Sequence, residues 1–165
     1  MRPFGRRRSR LAPRFRHAPA LLGCALVLVT AGCSIPRWPV EGAISSPFGL
    51  RMDGLRPRVH RGVDIPLPEG TPVRAMGPGR VTHAGWMRGY GIAVIIEHGS
   101  GIVSLYAHLS EASVRVGQEV GGREVIGRSG RTGRVTGPHL HFEVWRRGRP
   151  QDPVPFLGGP PPRRS

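Results

Sequence analysis

His139 and His141 stand one residue apart in TGPHLHFEVWRR, residues 136–147. On a β-strand alternate side chains share a face, so the two imidazoles lie together, about 6.6 Å apart at their Cα atoms. Leu140, Phe142 and Val144 take the opposite face. One face reads as a site and the other as core. Two imidazoles so placed can converge on one metal, or one can bind it while its neighbour touches whatever the metal binds. His60 and Asp64 form a second pair, in HRGVD. Fully extended, that segment would hold them about 13 Å apart, whereas two ligands of one tetrahedral zinc approach to roughly 3.4 Å. The chain must bend between them; Gly62 permits the bend, and Pro66 and Pro68 argue against a helix there. An imidazole and a carboxylate suit zinc, and one more histidine would complete three protein ligands with a fourth position open. His108, in SLYAHLS, is the third histidine-bearing piece. Taken singly, an HxH, an HxxxD and a strand-end histidine are each as well explained by solvated side chains; their combination is what points to chemistry.

The elements that must position these residues are strands. Short Val- and Ile-rich or alternating runs, punctuated by Gly, Pro and polar turns, predict strands near 40–44, 71–75, 80–86, 92–98, 102–108, 124–128 and 139–146. No window has a sustained helical period, so the fold class is all-β, a small antiparallel sheet or sandwich. IAVIIEHGSGIVSLYAH is the clearest hairpin, turning at Gly99, Ser100 and Gly101. His83 and His98 belong to none of the three pieces, and His98, beside that turn, is expected to be solvated.

The N-terminus is of another kind. Residues 1–32 hold seven arginines and no acid, followed by the apolar run from Ala18 to Gly32, the arrangement of an export signal. Fifteen apolar residues fall short of the roughly 20 a membrane span needs. LVTAGCS, residues 28–34, resembles a bacterial lipobox, which would make Cys33 the lipidated first residue of the mature chain. The expected organisation is a signal at 1–32, a lipidated tether at 33–39, a domain at 40–157, and a disordered, proline-rich tail at 158–165. Both cysteines, Cys24 and Cys33, fall in or beside the signal, so the domain has neither a disulfide nor a thiolate for a metal. Without the signal 18 arginines face 10 acids, a net charge of +8. That charge favours anionic wall polymers or lipid head groups. Nucleic-acid binding is excluded as a reading: no aromatic-studded basic patch occurs, and export removes the chain from nucleic acid.

The three pieces occur in frames that resemble the lysostaphin-type, or LytM-like, zinc metallopeptidases: HRGVD at 60–64, YAHL at 106–109 and GPHLHFE at 137–143. SPFGLR at 46–51, VGQEV at 116–120 and IGRSGRTGRVTGPHLHFEV at 126–144 add to the match. The resemblance implies a small antiparallel β-domain with a substrate groove walled by loops. It implies one zinc ion held by His60, Asp64 and His141, with His108 and His139 as the catalytic pair beside it. Ligand histidines donate their other N–H to a carboxylate or carbonyl, which makes Glu143 a candidate to orient His141. Tyr106 could be core or groove lining; its place two residues before His108 on a strand puts it on the same face, which favours the groove. The implied substrate is the peptide part of bacterial peptidoglycan, and the segments 48–59 and 84–91 could wall or occlude the groove. Some relatives of this kind activate other wall hydrolases instead of cutting, so such hydrolases or the cell-division machinery are expected partners on the alternative reading.

Overall fold

The computed structural model describes residues 35–53 and 56–163. The expected signal at 1–32 and Cys33 lie outside the described residues. Eleven strands and one short helix follow in order: β1 (Gly49–Asp53), β2 (Arg56–His60), β3 (Val63–Pro66), β4 (Pro72–Arg74), β5 (Gly79–Met87), β6 (Gly91–Glu97), β7 (Ile102–Ala112), β8 (Glu119–Val120), β9 (Val125–Ser129), β10 (His139–Arg146), β11 (Arg149–Gln151) and α1 (Pro153–Phe156). All pairings are antiparallel, and β3 to β11 form one sheet while β1 and β2 form a separate hairpin. The expected all-β class is what the chain adopts.

Strand β10 is the centre of the arrangement. On one side β7 runs along it from His141↔Ala107 to Arg146↔Ile102. On the other side β3 pairs with its first half and β11 with its second. The alternation expected for β10 holds: Leu140, Phe142 and Val144 are fully buried. They join Val63, Ile65, Val94, Ile96, Tyr106 and Leu109 in the main core, whose burial is what drives the strands together. A smaller cluster of Ala93, Leu105 and Ala107, with Met87, Tyr90 and Ile95 packed on it, covers the opposite face.

Several boundaries differ from expectation. Residues 40–44 form no strand. The strands preceding the site are instead β1 and β2, in the stretch expected to be a wall loop, together with β3. Pro66 ends β3, where its missing N–H disturbs no interior ladder. The segment 35–39 is not merely a tether, since Trp38 is buried in the core with its ring 5.9 Å from that of Phe142. Its indole N–H donates to Gly159 O at 2.8 Å, and Gly42 N donates to Pro162 O at 2.9 Å. Residues 158–163, expected to be disordered, therefore pack back on the domain's first residues. The one helix among the described residues is a single turn, capped by Asp152 Oδ1, which accepts from Val154 N at 2.9 Å. His98 is hydrogen-bonded through both ring nitrogens, to Pro78 O and Ser104 Oγ at 2.7 Å each, not simply solvated.

Candidate metal centre and active site

The register of β3 on β10 sets Asp64 directly opposite His141. His60 ends β2, and two residues cross from there to Val63 at the start of β3. Gly62 is required at this crossing for closeness: a Cβ there would lie 2.2 Å from Phe142 O and 2.9 Å from Glu143 Cγ. The backbone thus passes against β10 with no room for a side chain, and His60 is delivered over the Asp64–His141 pair.

Three atoms converge as a result. Asp64 Oδ1 lies 2.7 Å from His141 Nδ1 and 3.2 Å from His60 Nε2, and those two nitrogens are 3.2 Å apart. These spacings are close to the roughly 3.4 Å between ligands of a tetrahedral zinc. His60, Asp64 and His141 are the group among the described residues able to hold one metal ion. The remaining atoms of each are already taken. His60 Nδ1–H donates to Pro47 O at 2.8 Å, leaving Nε2 free of hydrogen. His141 Nε2–H donates to Glu143 Oε1 at 2.9 Å, leaving Nδ1. Arg51 Nη1 lies 3.5 Å from Asp64 Oδ2 and donates to Ser46 Oγ at 3.0 Å, so Oδ1 alone meets the two histidines.

Glu143 is almost fully buried, 1 % exposed, and accepts from three donors: His141 Nε2, Tyr90 OH at 2.9 Å and Trp145 Nε1 at 2.6 Å. Burial alone would raise its pKa, but these hydrogen bonds and the His141 imidazole lower it. Burial likewise works against Asp64's charge, and His141 and His60 outweigh it, holding the carboxyl well below the usual range. For His141 burial disfavours the cation, yet the Asp64 and Glu143 carboxylates raise its pKa to about 9. Tyr90 is pushed up to about 12, by burial and then by Glu143. Glu143, Tyr90 and Trp145 also line a largely apolar cavity of about 310 Å³ on this face.

His108 and His139 face each other beside the three converging atoms, ring centroids 4.7 Å apart. Each has one nitrogen bound to a carbonyl: His108 Nδ1–H donates to Thr132 O, and His139 Nδ1–H to Gly137 O, both at 2.8 Å. His139 Nε2 lies 3.8 Å from Asp64 Oδ1. His108 is lowered to about 4, by burial first and then by the neighbouring His139 and His141, against the pull of Thr132 O. It is therefore neutral at neutral pH.

The structure brings His60, Asp64, His108, His139, His141 and Glu143 together, and it removes Tyr106. His108 has φ 61° and sits where the β6–β7 register shifts, so a bulge interrupts the alternation of β7. Tyr106 consequently faces the core: it is fully buried, its ring 5.3 Å from Phe142, and its hydroxyl accepts from Met76 N at 2.8 Å. Sequence reasoning alone does not single out Arg51, Tyr90, Thr132 or Trp145. Arg51 and Thr132 fall inside the SPFGLR and GRTGR stretches, but nothing in their types marks them as neighbours of a metal.

A His/Asp/His triplet with two buried histidines and a half-buried aspartate, flanked by two further imidazoles, is a donor set that suits one metal ion. Comparison with known proteins agrees. The description "Peptidase family M23" matches residues 58–153, more than half of the chain, and the chain belongs to that family. It is 52% identical over 113 residues to the DD-carboxypeptidase/endopeptidase Mpg of Neisseria meningitidis serogroup B, a match covering 67% of this chain and 26% of that protein. It is 39% identical over 139 residues to the murein hydrolase activator EnvC of Escherichia coli, covering 81% of this chain and 32% of the relative. Among solved structures, a zinc-containing peptidase from Vibrio cholerae superposes with a TM-score of 0.69 at 38% identity, covering 75% of this chain and 39% of the other. The match thus spans about a quarter to a third of the curated relatives' lengths.

Proposed function

We propose that this protein is a zinc-dependent endopeptidase acting on peptide cross-links or stem peptides of bacterial peptidoglycan. The observation that carries the reading is the division of nitrogens among the four site histidines. His60 Nε2 and His141 Nδ1 face Asp64 Oδ1 while their other nitrogens meet Pro47 O and Glu143 Oε1, and His108 and His139 each tie Nδ1 to a carbonyl. His60 Nε2, Asp64 Oδ1 and His141 Nδ1 would hold the ion. A zinc there supplies Lewis-acid polarisation of the scissile carbonyl and an acidified water. The protein's own part is to place two imidazoles beside it: Nε2 of His108 or His139 accepts the proton of the attacking water and returns it to the departing amine. Glu143 orients His141, and Arg51 keeps Asp64 to one oxygen.

Residues 1–32 act on this proposal as an export signal, and Cys33 as a lipid anchor that places the domain beside the wall. Among the relatives, one named peptidoglycan DD-endopeptidase, ShyA of Vibrio cholerae, supports the substrate class. The activator among them supports a second reading, in which the domain stimulates other wall hydrolases without cutting. The filled ligand set and both unligated histidines favour the enzyme. Incubating purified peptidoglycan with the zinc-loaded protein tests this. Release of soluble fragments with new amino termini, abolished by a chelator, is expected. Release only when a second hydrolase is added would select the activator.

A further inference from the structure

His108 is held in a strained backbone conformation, and something must fix its ring. The bulge at φ 61° is anchored by its own N–H, which donates to Tyr90 O at 2.8 Å. The ring is anchored by Thr132 O. Thr132 is in turn locked through its hydroxyl, which donates to Leu109 O at 2.6 Å and accepts from Ile92 N at 2.9 Å. Leu109 follows His108 on β7, and Ile92 sits opposite it on β6, at the edge of the register shift. One hydroxyl thus bridges the two strands that form the bulge, while the carbonyl of the same residue receives the imidazole.

The space for this clamp is reserved by two glycines. A Cβ on Gly91 would lie 2.3 Å from Thr132 Oγ1, and one on Gly133 would lie 2.4 Å from Gly91 N. Arg134 N adds a hydrogen bond to Gly89 O at 3.0 Å. The loops 88–91 and 130–134 are therefore interlocked around Thr132, which has no contact of its own with the three converging atoms in any hydrogen bond or ion pair among the described residues.

We propose that Thr132 is the positioning residue of His108: its hydroxyl clamps the loop to both strands of the bulge, so that its carbonyl fixes the imidazole as the Nδ1–H tautomer with Nε2 facing the peptide. The proposal rests on the reading of His108 as a proton carrier. Only serine or threonine offers a donor and an acceptor at this place. Valine keeps the shape and loses both, so the carbonyl is no longer held against Nδ1.

The test compares Thr132→Val and Thr132→Ser in the zinc-loaded protein. General-base positioning is worth about 10²–10⁴-fold in rate, so partial loss in Thr132→Val should lower kcat about 10–100-fold. KM and zinc content should stay near wild type, and Thr132→Ser should recover most of the rate. The second readout is the tautomer of His108 by ¹⁵N NMR of labelled histidines, assigned by difference with His108→Gln. Wild type should show Nδ1–H, and Thr132→Val a mixture or the Nε2–H form. A wild-type His108 in the Nε2–H form overturns the proposal, whether or not the valine variant folds. So does an unchanged kcat in Thr132→Val, or a fall in Thr132→Ser as large as in Thr132→Val. Should the wild type release no fragments at all, the proposed function fails, while the tautomers still decide the role of Thr132.

Discussion

Exchanging Glu143 for glutamine removes one charge and no metal ligand, yet it should weaken both the metal site and the fold. The carboxylate accepts from three donors, two on Oε1 and one on Oε2. Glutamine brings one carbonyl oxygen and one NH₂. With the oxygen toward His141 and Tyr90, the NH₂ faces Trp145 Nε1, which can only donate. With the amide reversed, the NH₂ faces His141 Nε2, and the tautomer that avoids a donor–donor clash carries its hydrogen on Nδ1, the nitrogen meant for the metal. The first orientation leaves the Trp145 N–H unpaired, at a cost of about 1–3 kcal/mol, and the second takes Nδ1 from the metal and leaves the Tyr90 hydroxyl without its acceptor. Loss of a group orienting a ligand histidine typically weakens metal binding by about 10–100-fold. Zinc affinity measured by competition with a chromophoric chelator should fall by that factor, and denaturant unfolding of the metal-free protein should lose about 1–3 kcal/mol. Glu143 also helps hold the proton on His141, so the comparison is best made above pH 9, where that proton is largely lost. An unchanged zinc affinity there would refute the role assigned to Glu143.

His141→Ala should lose both zinc and turnover, whereas His139→Ala should keep near-stoichiometric zinc and lose turnover; metal analysis beside fragment release decides, and a metal-free His139→Ala would contradict the division within the HxH. Zinc affinity should rise with pH, about tenfold per unit, until it levels near the His141 pKa of about 9, because the ion must displace that proton. By linkage the same raised pKa stabilises the metal-free protein below its unfolded value near 6.5, and that stability is lost as pH rises through about 9. Chemical denaturation across this window gives the sign, and a stability rising with pH would be the wrong one. Tyr106→Phe strands the Met76 N–H in the core and should cost about 1–3 kcal/mol of unfolding free energy, with zinc content and turnover per folded molecule unchanged. Gly62→Ala drives a Cβ into the Phe142 carbonyl and should lower both the melting temperature and zinc retention.

Much of the site is legible in the chain because it is built on strands whose alternation survives folding. His139, His141 and Glu143 share a face of β10 as the period of two requires, and the bend between His60 and Asp64 accords with the reach of one metal. The rest depends on departures from that regularity. Simple alternation puts Tyr106 on the wrong face because the bulge at His108 inserts a residue whose positive φ no residue type there announces. Gly62 reads as a flexible bend and is instead a close approach to β10, visible only once the pairing is known. Trp38 and residues 158–163 read as tether and tail because their partners are far off in the chain; Trp38 Nε1 and Gly159 O meet across a separation of 121 residues. Arg51, Tyr90 and Thr132 act through carboxylates and carbonyls that register alone brings near.

The most direct test measures zinc content and fragment release on one sample of the purified protein with purified peptidoglycan. The account predicts one zinc per chain and release that stops on chelation and returns on adding zinc. Full release from a protein stripped of metal, or a zinc-loaded protein that releases fragments only when a second hydrolase is added or not at all, would contradict it.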